Sequence, residues 1–323
     1  MLDTQIFAAR ARDAGFAKVG FCPPDRFALS EQLVKAQEPL SERKQLRFTP
    51  LDDLPEIKSL AVLLWPYAPA PSSGKGEVFV DSYYAASNAA YHAAKELETH
   101  LLNSGCYAKA NVAYPAKEAA VRSDLGCIGK NSLLITPEYG SRVVIILMAT
   151  GIEIPKSSNL SPSRKSCVEC GRCIQACPSG ALDEKGLSHP ERCLRNFMME
   201  GVVVPEDLRA KIGMRLIGCD ICQRVCPMQT CAASKESNVY TLSEFLTEYP
   251  AAFSSAASHL ADEIGRNTAR PQRIRAQAAL LAGNSGEKRY LPVLRNWAQL
   301  PFEAVREHAR WAIRQIEMET ANT

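Results

Sequence analysis

The stretch CVECGRCIQACPSGAL, residues 167–182, constrains this chain more than any other. Cys167, Cys170, Cys173 and Cys177 stand at C-x2-C-x2-C-x3-C spacing, and Pro178 follows. Three thiolates of such a run come from one tight loop. In two-cluster ferredoxins the last cysteine of the run ligates the other cluster, so a second run is required. The proline stops any helix from carrying on through the site. GCDICQRVCP is that second run, with Cys219, Cys222 and Cys226 ahead of Pro227. It is one cysteine short, and Cys193 in ERCLRNFMMEG fills the gap. The crossover predicts one [4Fe–4S] cluster on Cys167, Cys170, Cys173 and Cys226, and another on Cys177, Cys193, Cys219 and Cys222. A pair of zinc sites is the plainer alternative. Zinc usually takes pairs of C-x2-C knuckles, whereas this longer series with its proline is the cluster form. Cys22, Cys106, Cys127 and Cys231 fall outside both runs and are expected to be small buried residues.

With 38 basic and 35 acidic residues, a net charge of +3 excludes any argument from global charge to nucleic acid or membrane. The opening MLDTQIFAARARDAGFAKVGF lacks a signal-peptide pattern. The longest apolar run, residues 143–149, is too short to span a bilayer. The expectation is a cytoplasmic protein with no membrane partner. In that compartment the 12 cysteines stay reduced and serve as ligands or buried thiols.

Along the chain, residues 1–155 mix helical and strand signals. Residues 2–21 predict a helix, a stop at Gly15 and a short strand. Residues 59–67 and 141–150 predict buried strands, and residues 83–105 an alanine-rich helix ending in glycine. The alternation suggests an α/β layered domain. PKSSNLSPSRKS, residues 155–166, is a polar linker. The cysteine-rich unit follows, over 156–235. Residues 236–323 turn helical, with the look of a short HEAT-like region of stacked helix pairs. From Gly265 onward there are ten Lys/Arg against five acids. The tail is therefore basic and the remainder slightly acidic. Such helices track a phosphate backbone, unless the charge is simply a solvated face.

Two adjacent clusters form a wire, and their electrons need a destination within residues 1–155. Here the chain resembles the epoxyqueuosine reductase family. GFAKVGF, LLWPYAP, YYAASNAAYH and LGCIGKNSLLITPEYGS are similar to segments of its N-terminal part. CVECGRCIQACPSGAL, RCLRNFMMEG and IGCDICQRVCP are similar to its cluster domain, and GNSGEKRYLPVLRNW and VREHARWAIRQ to its C-terminal helices. The resemblance implies a nitroreductase-like α/β (α+β) domain that binds cobalamin base-off, with no side chain on the lower face of cobalt. It further implies a ferredoxin-like domain with two [4Fe–4S] clusters, an external low-potential electron donor, and a tRNA anticodon stem-loop gripped by the basic tail. The implied activity is reduction of epoxyqueuosine to queuosine in tRNA. Implied cofactor contacts are Tyr84, Arg122, Lys130, Asn131, Ser132 and Tyr139. On the residues alone, the glycines of GCIGKNS would let a backbone approach a flat ligand, with Lys130, Asn131 and Ser132 as donors to its tail. A simple glycine turn is the equal alternative. The full phosphate-loop pattern is absent, which excludes nucleotide hydrolysis of that type.

One family feature is missing. The family's proton-donating aspartate falls on Ala110 or Val112 here, depending on the alignment, and neither can give a proton. Tyr114, with Lys117 or Arg122 as its basic neighbour, becomes the candidate acid; plain packing is its alternative role. Asp124 and His92 are further acids nearby in sequence. Three functions follow: the family reaction with an unusual acid, a related cobalamin-dependent reduction of a small substrate as in reductive dehalogenases, or a non-catalytic corrinoid-binding electron carrier.

Overall fold

Every residue from Ser59 to Leu64 is buried, so strand β2 (Ser59–Pro66) must be covered on both faces. The computed structural model describes residues 3–35, 47–70, 74–154, 167–229, 239–247 and 249–321. The linker at 155–166 and Cys231 lie outside them. β2 pairs with β1 (Lys18–Cys22) on one side and β7 (Val143–Thr150) on the other, and β7 pairs with β4 (Ala108–Ala110). All three pairings are antiparallel, with Val62 opposite Gly20 and Leu147. The predicted strands and helices are present, but the sheet is antiparallel, so the N-terminal layers are of α+β type. Strand–helix alternation alone suggests a parallel sheet; here β1 and β2 pair directly although residues 23–58 lie between them.

Because side chains alternate along a strand, β2 feeds two cores. Ala61 and Leu63 join Phe7 of helix α1 (Thr4–Asp13) and Leu97 and Leu101 of helix α2 (Ser82–Asn103). Leu60, Val62 and Leu64 join Phe27, Tyr114 and Ala119 and Ala120 of helix α3 (Ala116–Arg122). Gly15 follows α1 with φ +98°, and the Trp65 ring lies where its Cβ would be. Only glycine suits that stop. Cys22 is buried, as expected, whereas Cys106 and Cys127 are half-exposed. They lie at the edges of their elements rather than inside a core.

A second sheet joins distant parts of the chain. Strand β3 (Glu77–Val80) runs parallel to β8 (Arg215–Ile217) of the cysteine-rich segment and antiparallel to β9 (Tyr240–Thr241). The amide of Asp81 continues this contact by donating to the carbonyl of Ile217 at 2.9 Å. The third core unites Val78 and Tyr84 with Leu194, Met198, Leu216 and the C-terminal helices. Those helices are α7 (Pro250–Ile264), α8 (Pro271–Ser285), α9 (Leu291–Trp297) and α10 (Glu303–Ala321). Nearly all of α8 after Arg275 is buried, as befits a central helix packed on every side. At Gly283 the backbone comes so close that a Cβ would lie 2.6 Å from the Trp311 ring. His308 bridges the layers: its Nε2 accepts from the Val204 amide at 2.9 Å and its Nδ1 bonds the Ala276 carbonyl at 2.8 Å. Among the described residues, no helix is long and apolar enough to cross a membrane.

Candidate functional site

The two cysteine runs fold alike. Each places a four-residue helix between cysteines: α4 (Arg172–Gln175) ahead of Cys177-Pro178, and α6 (Ile221–Arg224) ahead of Cys226-Pro227. Gly171, at φ +73°, opens the first of them. Cys193 caps helix α5 (Leu194–Glu200), which brings the lone cysteine to the second group. Cys167, Cys170, Cys173 and Cys226 line one small cavity. Cys177, Cys193, Cys219 and Cys222 line a larger one. The thiols sense one another accordingly. Burial first, then Cys226 and Cys167, push Cys173 up. Burial, then Cys219, Cys193, Cys173 and Cys177, push Cys222 up. Cys219 rises to about 11 from burial, with Cys193 adding to it. Such crowded thiols ionise readily only around a cationic guest, so the donor set suits iron–sulfur clusters. Cys173 also lies within electrostatic reach of Cys222, so the two quartets are neighbours.

The larger cavity, about 510 Å³, joins the second quartet to the N-terminal layers. That volume is within the roughly 300–1,000 Å³ of cofactor sites. Its wall carries apolar side chains, Ala116, Leu133, Leu134, Val143 and Ile145, with Asn131, Ser132, Lys117, Asp81, Tyr83, Tyr67 and Arg195 among them. Asn131 is 4% exposed and lines both cavities, and among the described residues its Nδ2 has no hydrogen-bond partner. A buried amide donor left open at a cavity wall suits an amide-bearing guest such as a corrin, since an unpaired one is costly. Lys117 Nζ donates to the Ser132 carbonyl, and Ser132 Oγ donates to the Gly186 carbonyl, each at 2.6 Å. Ser132 has φ +57°, an uncommon conformation for a residue other than glycine.

The structure separates the expected cofactor residues. Asn131 and Ser132 line the larger cavity. Lys130 lines the smaller one, with its Nζ on the Glu184 carbonyl at 3.4 Å. Tyr84 is buried behind the wall under Arg195, and its neighbour Tyr83 takes the cavity surface. Tyr139 packs against the core containing Tyr114, and Arg122 turns away altogether. The Arg122 guanidinium lies over the Phe27 ring at 4.5 Å and bonds the Asp25 and Arg26 carbonyls. Gly126 and Gly129 do not open a path to a ligand. A Cβ on Gly126 would lie 2.3 Å from the Ile135 carbonyl, and one on Gly129 2.4 Å from the Ile135 side chain. Gly126 leads into strand β5 (Cys127–Ile128), and Gly129 opens the turn to β6 (Leu134–Ile135), with which β5 forms a small hairpin.

Tyr114 also lies away from the cavity. Its ring stacks on Phe27 and its hydroxyl donates to Asp53 Oδ2 at 3.0 Å. Burial and the Asp53 carboxylate hold it up at about 12. Ala110 and Val112 are not on the wall either, while Asp124 and His92 are exposed. Lys117, one helical turn past Tyr114, does reach the cavity, and burial lowers its pKa. Sequence reasoning missed Asp81, Tyr83 and Arg195. The only local sign was an aspartate at the start of a helix.

In the tail, Arg266, Arg270, Lys288, Arg289, Arg295, Arg310 and Arg314 are exposed. Arg273 and Arg275 are not free for a partner: Arg273 bonds the Asn267 and Thr268 carbonyls, and Arg275 lies 4.2 Å over the Phe253 ring.

Residues 166–229 match the family model of the 4Fe-4S double cluster binding domain. The chain is 30% identical over 242 residues to an epoxyqueuosine reductase of Bacillus subtilis, covering 68% of this chain and 61% of that protein. It is 28% identical over 259 residues to one from Atelocyanobacterium thalassa, covering 73% of this chain and 82% of that protein. The chain thus spans less than two thirds of the Bacillus relative's length. Among solved structures, an epoxyqueuosine reductase with an epoxyqueuosine-modified tRNA stem loop superimposes with a TM-score of 0.82 at 26% identity, over 97% of this chain and 89% of that one.

Proposed function

We infer the function from one premise: the chain belongs to the epoxyqueuosine reductase family. We propose that it reduces epoxyqueuosine to queuosine in a tRNA stem loop, using two [4Fe–4S] clusters and a corrinoid. The observation that carries this reading is the shared wall of the larger cavity. Cys177, Cys193, Cys219 and Cys222 line the same space as Asn131, Ser132 and Lys117. Electrons leaving the second quartet would therefore enter the space where a cofactor is held.

When bound, the clusters supply single electrons and the corrinoid a strong reductant. The protein supplies the rest. Cys167, Cys170, Cys173 and Cys226 would hold the outer cluster, and the second quartet the inner one. Asn131 Nδ2 and the Ser132 turn would hold the corrinoid's polar edge, and Leu133, Leu134, Val143 and Ile145 its flat body. Lys117 holds Ser132 in place. We read α7–α10 as HEAT-like helix pairs whose exposed arginines take the phosphates of the stem loop. A low-potential one-electron carrier would load the outer cluster, since Val168 and Cys170 are exposed beside it.

Reduction of a different substrate is the second reading. It is favoured by one observation, the apolar Ala110 and Val112 where the family carries its acid. Protein reconstituted with iron, sulfide and cobalamin, given a strong reductant, separates the two. Queuosine should appear in an epoxyqueuosine stem loop analysed as nucleosides. Turnover of small substrates with none of the stem loop would overturn the first reading.

A further inference from the structure

Opening an epoxide to an alkene needs an acid where the oxygen leaves, and the cavity wall carries one candidate of the right kind. Among the described lining residues, Asp81 is the sole carboxyl group. The other ionisable side chains there are committed or unsuited. Tyr67 exchanges hydrogen bonds with Gln223, donating to Oε1 at 3.3 Å and accepting from Nε2 at 3.0 Å. Lys117 holds the Ser132 carbonyl. Arg195 keeps its proton at any working pH. The Tyr83 ring is wedged edge-on between Tyr67 and Tyr84 and lies under Arg195.

We propose that Asp81 is the proton donor of this cavity. The assignment rests on the reductase function above and deepens it. Asp81 caps helix α2, and its Oδ1 accepts from the Tyr83 amide at 3.0 Å. The residue is 5% exposed, and Gly218 packs so tightly against it that a Cβ there would lie 2.4 Å from the Asp81 Cβ. Its position is thus set from both sides, by its own helix and by the turn that leads into Cys219.

The charged groups facing Asp81 come from four elements. Asp220 precedes α6, Arg142 precedes β7, Arg195 lies on α5, and Tyr67 follows β2. Burial dominates and, with the Asp220 carboxylate, raises Asp81 to about 6; the Tyr83 amide, Arg195 and Arg142 pull the other way. About one molecule in ten is then protonated at neutral pH. A general acid works best near the pH of operation.

Both carbon–oxygen bonds of the epoxide break, a carbon–carbon double bond forms, and the oxygen leaves as water. Two electrons come from two molecules of a low-potential one-electron carrier protein, each oxidised once. Two protons are needed. Asp81 gives one to the oxygen as its first bond to carbon breaks, is reprotonated from solvent, and gives the second as the other carbon–oxygen bond breaks and water leaves.

Asp81→Asn is the decisive variant, because asparagine caps a helix as well as aspartate but cannot serve as an acid. Iron content, corrinoid binding and melting temperature should match wild type. Turnover of the epoxyqueuosine stem loop should fall about 10²–10⁴-fold in kcat with little change in KM. Wild-type kcat should decline as pH rises through about 6, a decline the variant lacks. Turnover of Asp81→Asn at the wild-type rate overturns the proposal while leaving the reductase function standing. An infrared titration of wild type against Asp81→Glu supplies a readout that needs neither substrate nor the folding of the asparagine variant. A protonated-carboxyl band with a midpoint near 6, displaced in Asp81→Glu, supports the proposal. A midpoint in the ordinary carboxylate range overturns it. If wild type fails to reduce the stem loop yet shows that band, the substrate is wrong and the acid stands.

Discussion

Lys117 Nζ donates to the main-chain carbonyl of Ser132 at 2.6 Å, tying helix α3 to the turn that faces the larger cavity. The contact is costly to arrange. Burial lowers the pKa of Lys117, with Arg195 adding a like charge nearby, and Ser132 is held at φ +57°. A lysine Nζ bound to the carbonyl of a residue at positive φ is the mark of a wall that must keep one shape.

Removing that donor tests the wall. In Lys117→Met the Ser132 carbonyl loses its partner, a cost of about 1–3 kcal/mol. If the turn relaxes, cobalamin affinity should weaken by roughly ten- to a hundredfold, because each 1.4 kcal/mol is tenfold. Iron content should be unchanged. Spectral titration of the anaerobic protein with cobalamin reads the first quantity, and undiminished affinity would show that the turn does not touch the cofactor.

The cysteine framework was legible because its information is local. Cys-x2-Cys spacing and a following proline specify a ligand loop with no knowledge of the rest of the fold. The lone Cys193 was found by stoichiometry. The sheet was legible as elements but not as topology. Residues 59–66 announce a strand buried on both faces, yet nothing within them says that β1 pairs antiparallel to them. The surroundings of the larger cavity were the least legible part. Tyr114 and Lys117 are three residues apart, but the start of α3 sends the first toward Phe27 and Asp53 and the second toward Ser132. Asp81 looks like any helix cap until β8 is seen closing over it. Arg122, Arg273 and Arg275 look like free cations in sequence and are spent on carbonyls and rings of their own fold.

Stability should depend on pH through His308. Its ring is fully buried, with Nδ1–H given to the Ala276 carbonyl and Nε2 accepting from Val204. Burial lowers it from 6.5 to about 4. Below pH 6.5 the unfolded chain takes up a proton that the native state refuses, so stability is complete above that pH and drains away as pH falls toward about 4. The loss amounts to roughly 3 kcal/mol at its limit. Melting curves between pH 7 and pH 5 should show wild type losing ground relative to His308→Gln, which cannot take up the proton. Parallel curves would remove His308 as the source.

The stem loop should feel the exposed arginines and not the buried ones. Reversing Arg266 and Arg270 to glutamate should weaken binding of a tRNA stem loop about tenfold or more at low salt, with a shallower dependence of affinity on salt. The melting temperature should hold, since both side chains are exposed. Reversal of Arg273 and Arg275 should instead lower the melting temperature, because each closes a contact within the helices. RNA affinity indifferent to the first pair would move the interface elsewhere.

Metal and corrinoid content of the anaerobically purified protein tests the central claim most directly. Wild type with added cobalamin should contain about eight irons and about one corrinoid per chain, and Cys193→Ala about four irons. The spectrum of the corrinoid should be that of cobalt without a lower nitrogen ligand. Zinc in place of iron, or a corrinoid that passes through unbound, would contradict the account.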